Sequence, residues 1–185
     1  FFIFQRIDFY PPCISEVFRL NDMGIEVVIL TKGCNEQLME QFRERGIACH
    51  ILEVKENKNK FIQKIRNYFN YRHRFQWFFR EYWHQNSVLW VGTEESIMKM
   101  WPFLKKKHPC VLNVLEFYEK DDYQKKMKQI APKIDVLTAC EPHRAQYMVD
   151  WWHLKKMPYI MPNKPSRQPE INTMGSTPPL RKAIS

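Results

Sequence analysis

Apolar residues in this chain fall into short unbroken runs separated by stretches with helical spacing. FFIFQRI (1–7), IEVVILT (25–31), IACHILEV (47–54), VLWVG (88–92), CVLNVLEF (110–117) and IDVLTAC (134–140) read as strands, and MPYIMP (157–162) as a last short one. Runs that are apolar throughout, rather than alternating, fit strands covered on both faces. Between them, Ile14, Val17 and Phe18 share a helix face, as do Leu38, Met39 and Phe42. Ile97, Met100, Trp101 and Leu104 make the cleanest stripe, at i, i+3, i+4 and i+7. A charged helix is predicted over 121–131, and another from Pro142, carrying Met148, Trp151 and Trp152. Residues 57–85 are helical by length, but their apolar pattern drifts, which predicts a break near residue 70.

Boundary signals agree with this division. Asn35 and Thr93 stand where helix N-caps belong, with Glu94 and Glu95 suited to the positive end of the dipole that follows. Gly24 and Gly46 stand where helices end. Residues 8–12, Asp-Phe-Tyr-Pro-Pro, read as a loop after the first strand. Alternating strands and helices imply an α/β, Rossmann-like, doubly wound and mostly parallel sheet. In such sheets ligands bind beyond the carboxyl ends of the strands, which selects residues 8–12, 31–35, 92–95, 116–119 and 140–144.

The periodicity stops near residue 162. Six of the twelve prolines (Pro158, Pro162, Pro165, Pro169, Pro178 and Pro179) lie in the last part of the 185-residue chain. This divides it into a domain at 1–162 and a Pro-rich interdomain linker or tail at 163–185, after which a further domain is expected. The missing initiator Met suggests that the first strand is trimmed at its start. The 44% apolar and 26% charged composition is that of a globular domain, and no run of eighteen apolar residues is present. Phe1–Phe4 is broken at once by Gln5, Arg6 and Asp8, so this run is not expected to be a signal peptide. Five cysteines without CxxC spacing and six scattered histidines support neither a disulfide framework nor a metal site, and fit a reducing cytoplasm.

Twenty-nine basic against twenty acidic residues give a net charge of +9, which calls for an anionic partner without choosing one. Much of that charge lies in 57–85. There Lys58, Lys60, Lys64, Arg66, Arg72, Arg74 and Arg80 are interleaved with ten aromatics, Trp77 among them, against the single acid Glu81. Three readings stay open: contact with an anionic membrane surface, stacking on single-stranded nucleic acid, or aromatics packed on the sheet beneath solvated cations. The candidate membrane contacts are Lys58, Lys60, Lys64, Arg66, Arg72, Arg74 and Trp77. Lys105, Lys106 and Lys107 complement the dipole at the end of the 97–104 stripe.

Three stretches carry a resemblance to a known family. FRLNDMGIEVVILT (18–31) resembles a leucine-rich helix, glycine and strand. VLNVLEFYE (111–119) resembles a strand ending in an acidic and aromatic turn. IDVLTACEPHRAQYM (134–148) followed by PYIMPNKP (158–165) resembles a closing strand–helix–strand unit that ends in Pro-Asn. In order and spacing these resemble the N-terminal, acceptor-side domain of a GT-B fold glycosyltransferase of the bacterial retaining group 1 / family 4 type, over nearly all of 1–165. One departure stands out: Asp8-Phe9-Tyr10-Pro11-Pro12 replaces the Gly-rich turn that would admit a diphosphate.

The resemblance implies half of a two-domain enzyme of cell-surface polysaccharide synthesis, cytoplasmic or peripheral on the inner face of the membrane. No cofactor is expected in this chain. The nucleotide-sugar donor would sit on an absent C-terminal domain, leaving the isolated chain inactive, and the partner here would be a glycan or lipid-linked acceptor. Candidate acceptor contacts are Tyr10, Gly92, Thr93, Glu116, Glu141, His143 and Arg144, with Glu116 the candidate catalytic carboxylate. Two of them have a plainer reading: Glu116 as the cap of a turn, and Glu141 as the cap before Pro142. A different class stays open, a non-catalytic module recruiting a catalytic chain to the membrane. Nucleic acid ranks last, since no recognised binding motif is present. Neither a Walker-type loop nor a Ser–His–Asp order is found, which argues against P-loop kinases and hydrolases.

Overall fold

The computed structural model describes residues 1–52, 60–104 and 108–162. Among these residues seven strands are joined by six α-helices: β1 (Phe2–Arg6), α1 (Pro11–Asp22), β2 (Val28–Gly33), α2 (Glu36–Glu44), β3 (Ala48–Ile51), α3 (Lys60–Tyr82), β4 (Leu89–Val91), α4 (Glu94–Met100), β5 (Cys110–Val114), α5 (Asp121–Ile130), β6 (Val136–Ala139), α6 (Pro142–Trp152) and β7 (Tyr159–Ile160). They form one sheet in the order β3-β2-β1-β4-β5-β6-β7, with every pairing parallel. This is the Rossmann-like α/β arrangement that the strand–helix alternation implies. The direction of winding reverses between β1 and β4, and this reversal positions the site.

The apolar runs are continuous because both faces of the sheet are covered. Ile3 and Ile29 join Cys13 and Val17 of α1 and Leu38 and Phe42 of α2 in one core. Phe2, Phe4, Val91 and Leu112 join Phe75, Ile97, Met127, Met148 and Trp152 in the other, under α3 to α6. Helices α1 and α2 end alike. Gly24 (φ +77°) and Gly46 (φ +69°) adopt the left-handed conformation, and the amides on either side of that turn bond back into the helix. The donors are Gly24 to Asn21 O and Ile25 to Leu20 O, then Gly46 to Arg43 O and Ile47 to Phe42 O. Both are Schellman closures, which need a residue without a Cβ penalty.

Four expectations are corrected. Pro11 and Pro12 belong to α1 rather than to a loop, since a proline in the first turn gives up only an amide that has no helical partner. Helix α3 runs unbroken through residue 70 and contains neither Gly nor Pro. Its pattern drifts because its surroundings change along its length: Tyr71, Phe75 and Phe78 pack on the sheet, whereas Phe61, Ile65 and Phe69 are exposed. Helix α4 stops at Met100 and tightens into a 3₁₀ turn over Trp101–Phe103, because Pro102 cannot donate the next helical bond. Strand β5 ends at Val114, so 115–117 leave the sheet; Leu115 and Glu116 line a cavity, while Phe117 turns onto Trp152. Residues 53–54 of the third apolar run, Lys58, the lysines at 105–107 and the tail at 163–185 lie outside the described residues.

Candidate functional site

At the winding reversal, the residues that follow β1, β4 and β5 enclose a cavity of about 240 Å³. Tyr10 and Gln5 come from the first strand and its exit, Thr93, Glu94 and Glu95 from the second, and Glu116, Tyr118 and Lys120 from the third. Carboxylates, phenols, an amide and one ammonium therefore converge over an apolar floor of Met98 and Leu115. Such a wall suits a ligand that is rich in hydroxyls and has an apolar face. A larger cavity, about 600 Å³ and mostly apolar, opens among Phe78, Phe79, Trp83, Val88 and Ile25. It lies at the amino ends of the strands, opposite the carboxyl-end crevice, and offers little polar chemistry, so the smaller pocket is the candidate.

Glu94 is the unusual member. It opens α4 directly after the N-cap Thr93, whose hydroxyl accepts the Ser96 amide at 3.2 Å, yet its side chain is only 2% exposed. One carboxyl oxygen, Oε1, accepts both the Glu116 amide (3.2 Å) and the Tyr123 hydroxyl (3.3 Å). Burial pushes the acid up to about 8, against the pull of these hydrogen bonds. At neutral pH it is mainly a neutral carboxylic acid, able to donate as well as accept. Burial, and next the nearby Glu116 and Glu95 carboxylates, raise Tyr10. Burial together with Glu94 pushes the Tyr123 phenol up as well. Both phenols therefore stay protonated as donors.

The pocket gathers three of the predicted acceptor contacts, Tyr10, Thr93 and Glu116. Glu116 is exposed and leaves its carboxylate to the opening, while its amide is held by Glu94. Thr93 is buried, and its hydroxyl is already engaged with Gln5 Oε1 at 2.9 Å and Ser96 Oγ at 2.6 Å. Gly92 does not line the cavity. It lies beneath α1, where an added Cβ would come within 2.9 Å of Cys13 Sγ and 3.1 Å of the Phe1 ring, so its smallness serves packing. Glu141, His143 and Arg144 are also absent from the pocket wall. Glu141 occupies the N-cap position of α6 without a side-chain cap bond, and its Oε1 lies 3.6 Å from Arg144 Nη2. Arg144 donates to Leu115 O, tying α6 to the end of β5 behind the pocket, and His143 is exposed.

Of the candidate membrane contacts, Arg66 and Arg72 are exposed, whereas Arg74 is half-buried near His50. Trp77 turns inward, packing edge-on against His50 (5.2 Å) and Tyr82 (5.8 Å). Lys58 and the side chains of Lys60 and Lys64 are outside the described residues. Strand ends pointed to Glu94, Glu95 and Tyr118, but nothing in the local pattern marked Glu94 as buried. Gln5, Lys120 and Tyr123 carried no signal, because a strand interior and an ordinary charged helix hide them. Among the described residues, no group of three His, Cys, Asp or Glu could hold a metal ion, and no helix is long and apolar enough to cross a membrane.

No family model and no curated protein matches the sequence. Among solved structures, the chain is similar to the crystal structure of a glycosyltransferase from Rickettsia africae ESF-5. The TM-score is 0.57 and the identity 13%, over 88% of this chain and 42% of that one. The chain has a glycosyltransferase-like fold. It spans less than half of the chain it resembles.

Proposed function

We propose that this chain is the acceptor-side domain of a glycosyltransferase that moves a sugar from a nucleotide-sugar to a glycan or lipid-linked acceptor. The reading includes a role in cell-surface polysaccharide synthesis on the cytoplasmic side of the membrane. The observation that carries it is the pocket of Tyr10, Glu116 and buried Glu94 at the winding reversal of a sheet with a glycosyltransferase-like fold. An exposed carboxylate on a wall of phenols is suited to accept hydrogen bonds from sugar hydroxyls, while a neutral Glu94 keeps the pocket from carrying a third negative charge. In this reading Glu116 orients the acceptor, Tyr10 and Tyr118 give it faces to lie on, and the donor is held by a second domain. A 240 Å³ hollow is small for a complete bisubstrate site and suits one wall of a cleft.

The test has two arms. Calorimetry of this chain with nucleotide-sugars is expected to show no binding in the micromolar range, and micromolar affinity would overturn the division of labour. In an enzyme carrying both domains, Glu116→Gln is expected to lower turnover with the melting temperature unchanged. Full activity in that variant would remove Glu116 from the site. Glycan binding that survives without any turnover in the two-domain protein would favour the recruiting module instead.

A further inference from the structure

The first half of α3 is explained neither by the sheet nor by the pocket. Tyr71 packs edge-on against Phe4 (5.4 Å) and Phe75 against Phe2 (5.1 Å), so the helix leaves the sheet at about residue 70. Residues 61–69 continue the helix by roughly 13 Å, at 1.5 Å per residue, and because Phe4 lies two residues short of the end of β1 at Arg6, about the first turn and a half pass the carboxyl ends of the strands. On that stretch Phe61 is 71% exposed, Ile65 45% and Phe69 60%. Positions 61, 65 and 69 recur every four residues, and Arg72, Gln76 and Arg80 continue the same face within an arc of about 100°. One helix face is thus apolar over its first turns and cationic over its last.

The cationic part forms one side of a groove of about 510 Å³. Arg72, Gln76 and Arg80 face Phe103 and Leu104 across it, and Tyr68 joins the two parts by touching Phe103 at 5.4 Å. Throughout α3 the only acid is Glu81, against Lys60, Lys64, Arg66, Arg72, Arg74 and Arg80.

We propose that this face of α3 seats the domain on an anionic lipid bilayer, with Ile65 and Phe69 entering the acyl boundary, Arg72 at the level of the lipid phosphates, and Arg80, about 12 Å further along the axis, brought toward them by the tilt of the helix. Arg72 is seven residues beyond Ile65, roughly 10 Å along the axis, which matches the 5–10 Å to which an interfacial helix buries its apolar face. The helix therefore enters tip first and leans, with its cations at the headgroups and its aromatic second half still in the core. Single-stranded nucleic acid fits less well. Its bases need a succession of aromatic platforms, whereas two of the exposed apolar residues here are the aliphatic Ile62 and Ile65, which offer no ring to stack on. The projection points to the same end of the sheet as the pocket, so the bilayer would lie beside the pocket's mouth.

Co-sedimentation with phosphatidylcholine vesicles, with and without phosphatidylglycerol, tests this. The chain is expected to bind the anionic vesicles at low salt and to bind neutral ones at least tenfold more weakly. Arg72→Gln with Arg80→Gln is expected to lower the partition coefficient about 25-fold, from about fivefold per cation. Ile65→Ser with Phe69→Ser is expected to lower it by about tenfold or more, with an unchanged thermal melt since both residues are exposed. Phe69→Trp, a reporter that keeps the apolar face intact, should shift its emission to the blue on anionic vesicles and be quenched by brominated lipid. Absence of binding to anionic vesicles would overturn the proposal. So would a serine pair that binds like the parent together with an unshifted emission from the Phe69→Trp reporter, or preferential binding of a single-stranded oligonucleotide over vesicles. Each of these results leaves the acceptor pocket standing, because no pocket residue is altered.

Discussion

Among the described residues, burial raises two carboxyl groups on opposite sides of the sheet, half-buried Glu16 and buried Glu94, and their surroundings give them different work. Glu16 of α1 lies over β4 and β5. Its Oε2 accepts Trp90 Nε1–H at 3.0 Å, its Oε1 accepts the Asn113 amide, and Asn113 Oδ1 in turn accepts the Thr138 hydroxyl at 2.8 Å. Every member of that chain has a partner, and it links α1 to three neighbouring strands. Glu94 places both of its longer bonds on one oxygen and forms part of a cavity wall. Burial raises both acids, Glu16 to about 7 and Glu94 to about 8. A raised pKa therefore does not by itself mark a site. What separates the two is whether both carboxyl oxygens are spanned between side chains of neighbouring strands, as in Glu16, or the group forms part of a cavity wall, as in Glu94.

The contrast is broken most forcefully at Asn113, which is 1% exposed. Asn113→Ala strips Glu16 of a donor and Thr138 of an acceptor, and is expected to cost about 2–4 kcal/mol in urea denaturation. A cost below about 1 kcal/mol would mean that water replaces the amide and that the two sites are less different than they look.

Proton linkage follows next in size. Both folded values lie above the unfolded 4.5, so the folded chain holds its protons longer than the unfolded chain does. The stability these groups contribute is fully present below about pH 4.5, declines as pH rises through about 7 and then 8, and is absent beyond. Glu94→Gln and Glu16→Gln should each flatten that decline, gaining on the order of a few kcal/mol over the parent at pH 9 relative to pH 5. Chemical denaturation across the pH range reads this directly, and parallel curves for parent and variants would contradict the raised values.

Smaller effects sharpen the comparison at the pocket. Tyr123→Phe removes a 3.3 Å bond from an oxygen that keeps the Glu116 amide, so a loss of about 0.5–1 kcal/mol is expected. Smallest of all, Glu116→Gln should change stability by less than about 0.5 kcal/mol, since the side chain is exposed, while lowering turnover in a two-domain enzyme. A large stability loss there would make Glu116 a structural residue like Glu16.

The legible part of the site was its address. Strand carboxyl ends selected Tyr10, Thr93 and Glu116, and the structure gathers them at one cavity. Hidden were depth and neighbours. Glu94 and Glu95 are adjacent acids in the first turn of one helix, equal in any one-dimensional pattern, yet one is buried and the other exposed because a helix turns 100° between them. Gly92, Glu141 and His143 sit at strand exits too but miss the cavity, since an exit loop shows only some of its side chains to the crevice. The drift along α3 was legible as well, although its cause was not a kink but the edge of the sheet.

Local chemistry alone determined the alternation of strands and helices, the caps at Asn35 and Thr93 and the glycine stops at 24 and 46, because each depends on residues within a turn or two. Periodicity likewise determined that both faces of the sheet would be covered. Only the tertiary structure decided which strands meet at the winding reversal, that Glu94 is buried while Glu116 is free, and where α3 outruns its support. Those outcomes depend on groups brought together across large separations, such as Tyr123 on Glu94 and Asn113 on Glu16, 29 and 97 residues apart. Desolvation acts on that assembled neighbourhood, which no short window of sequence contains.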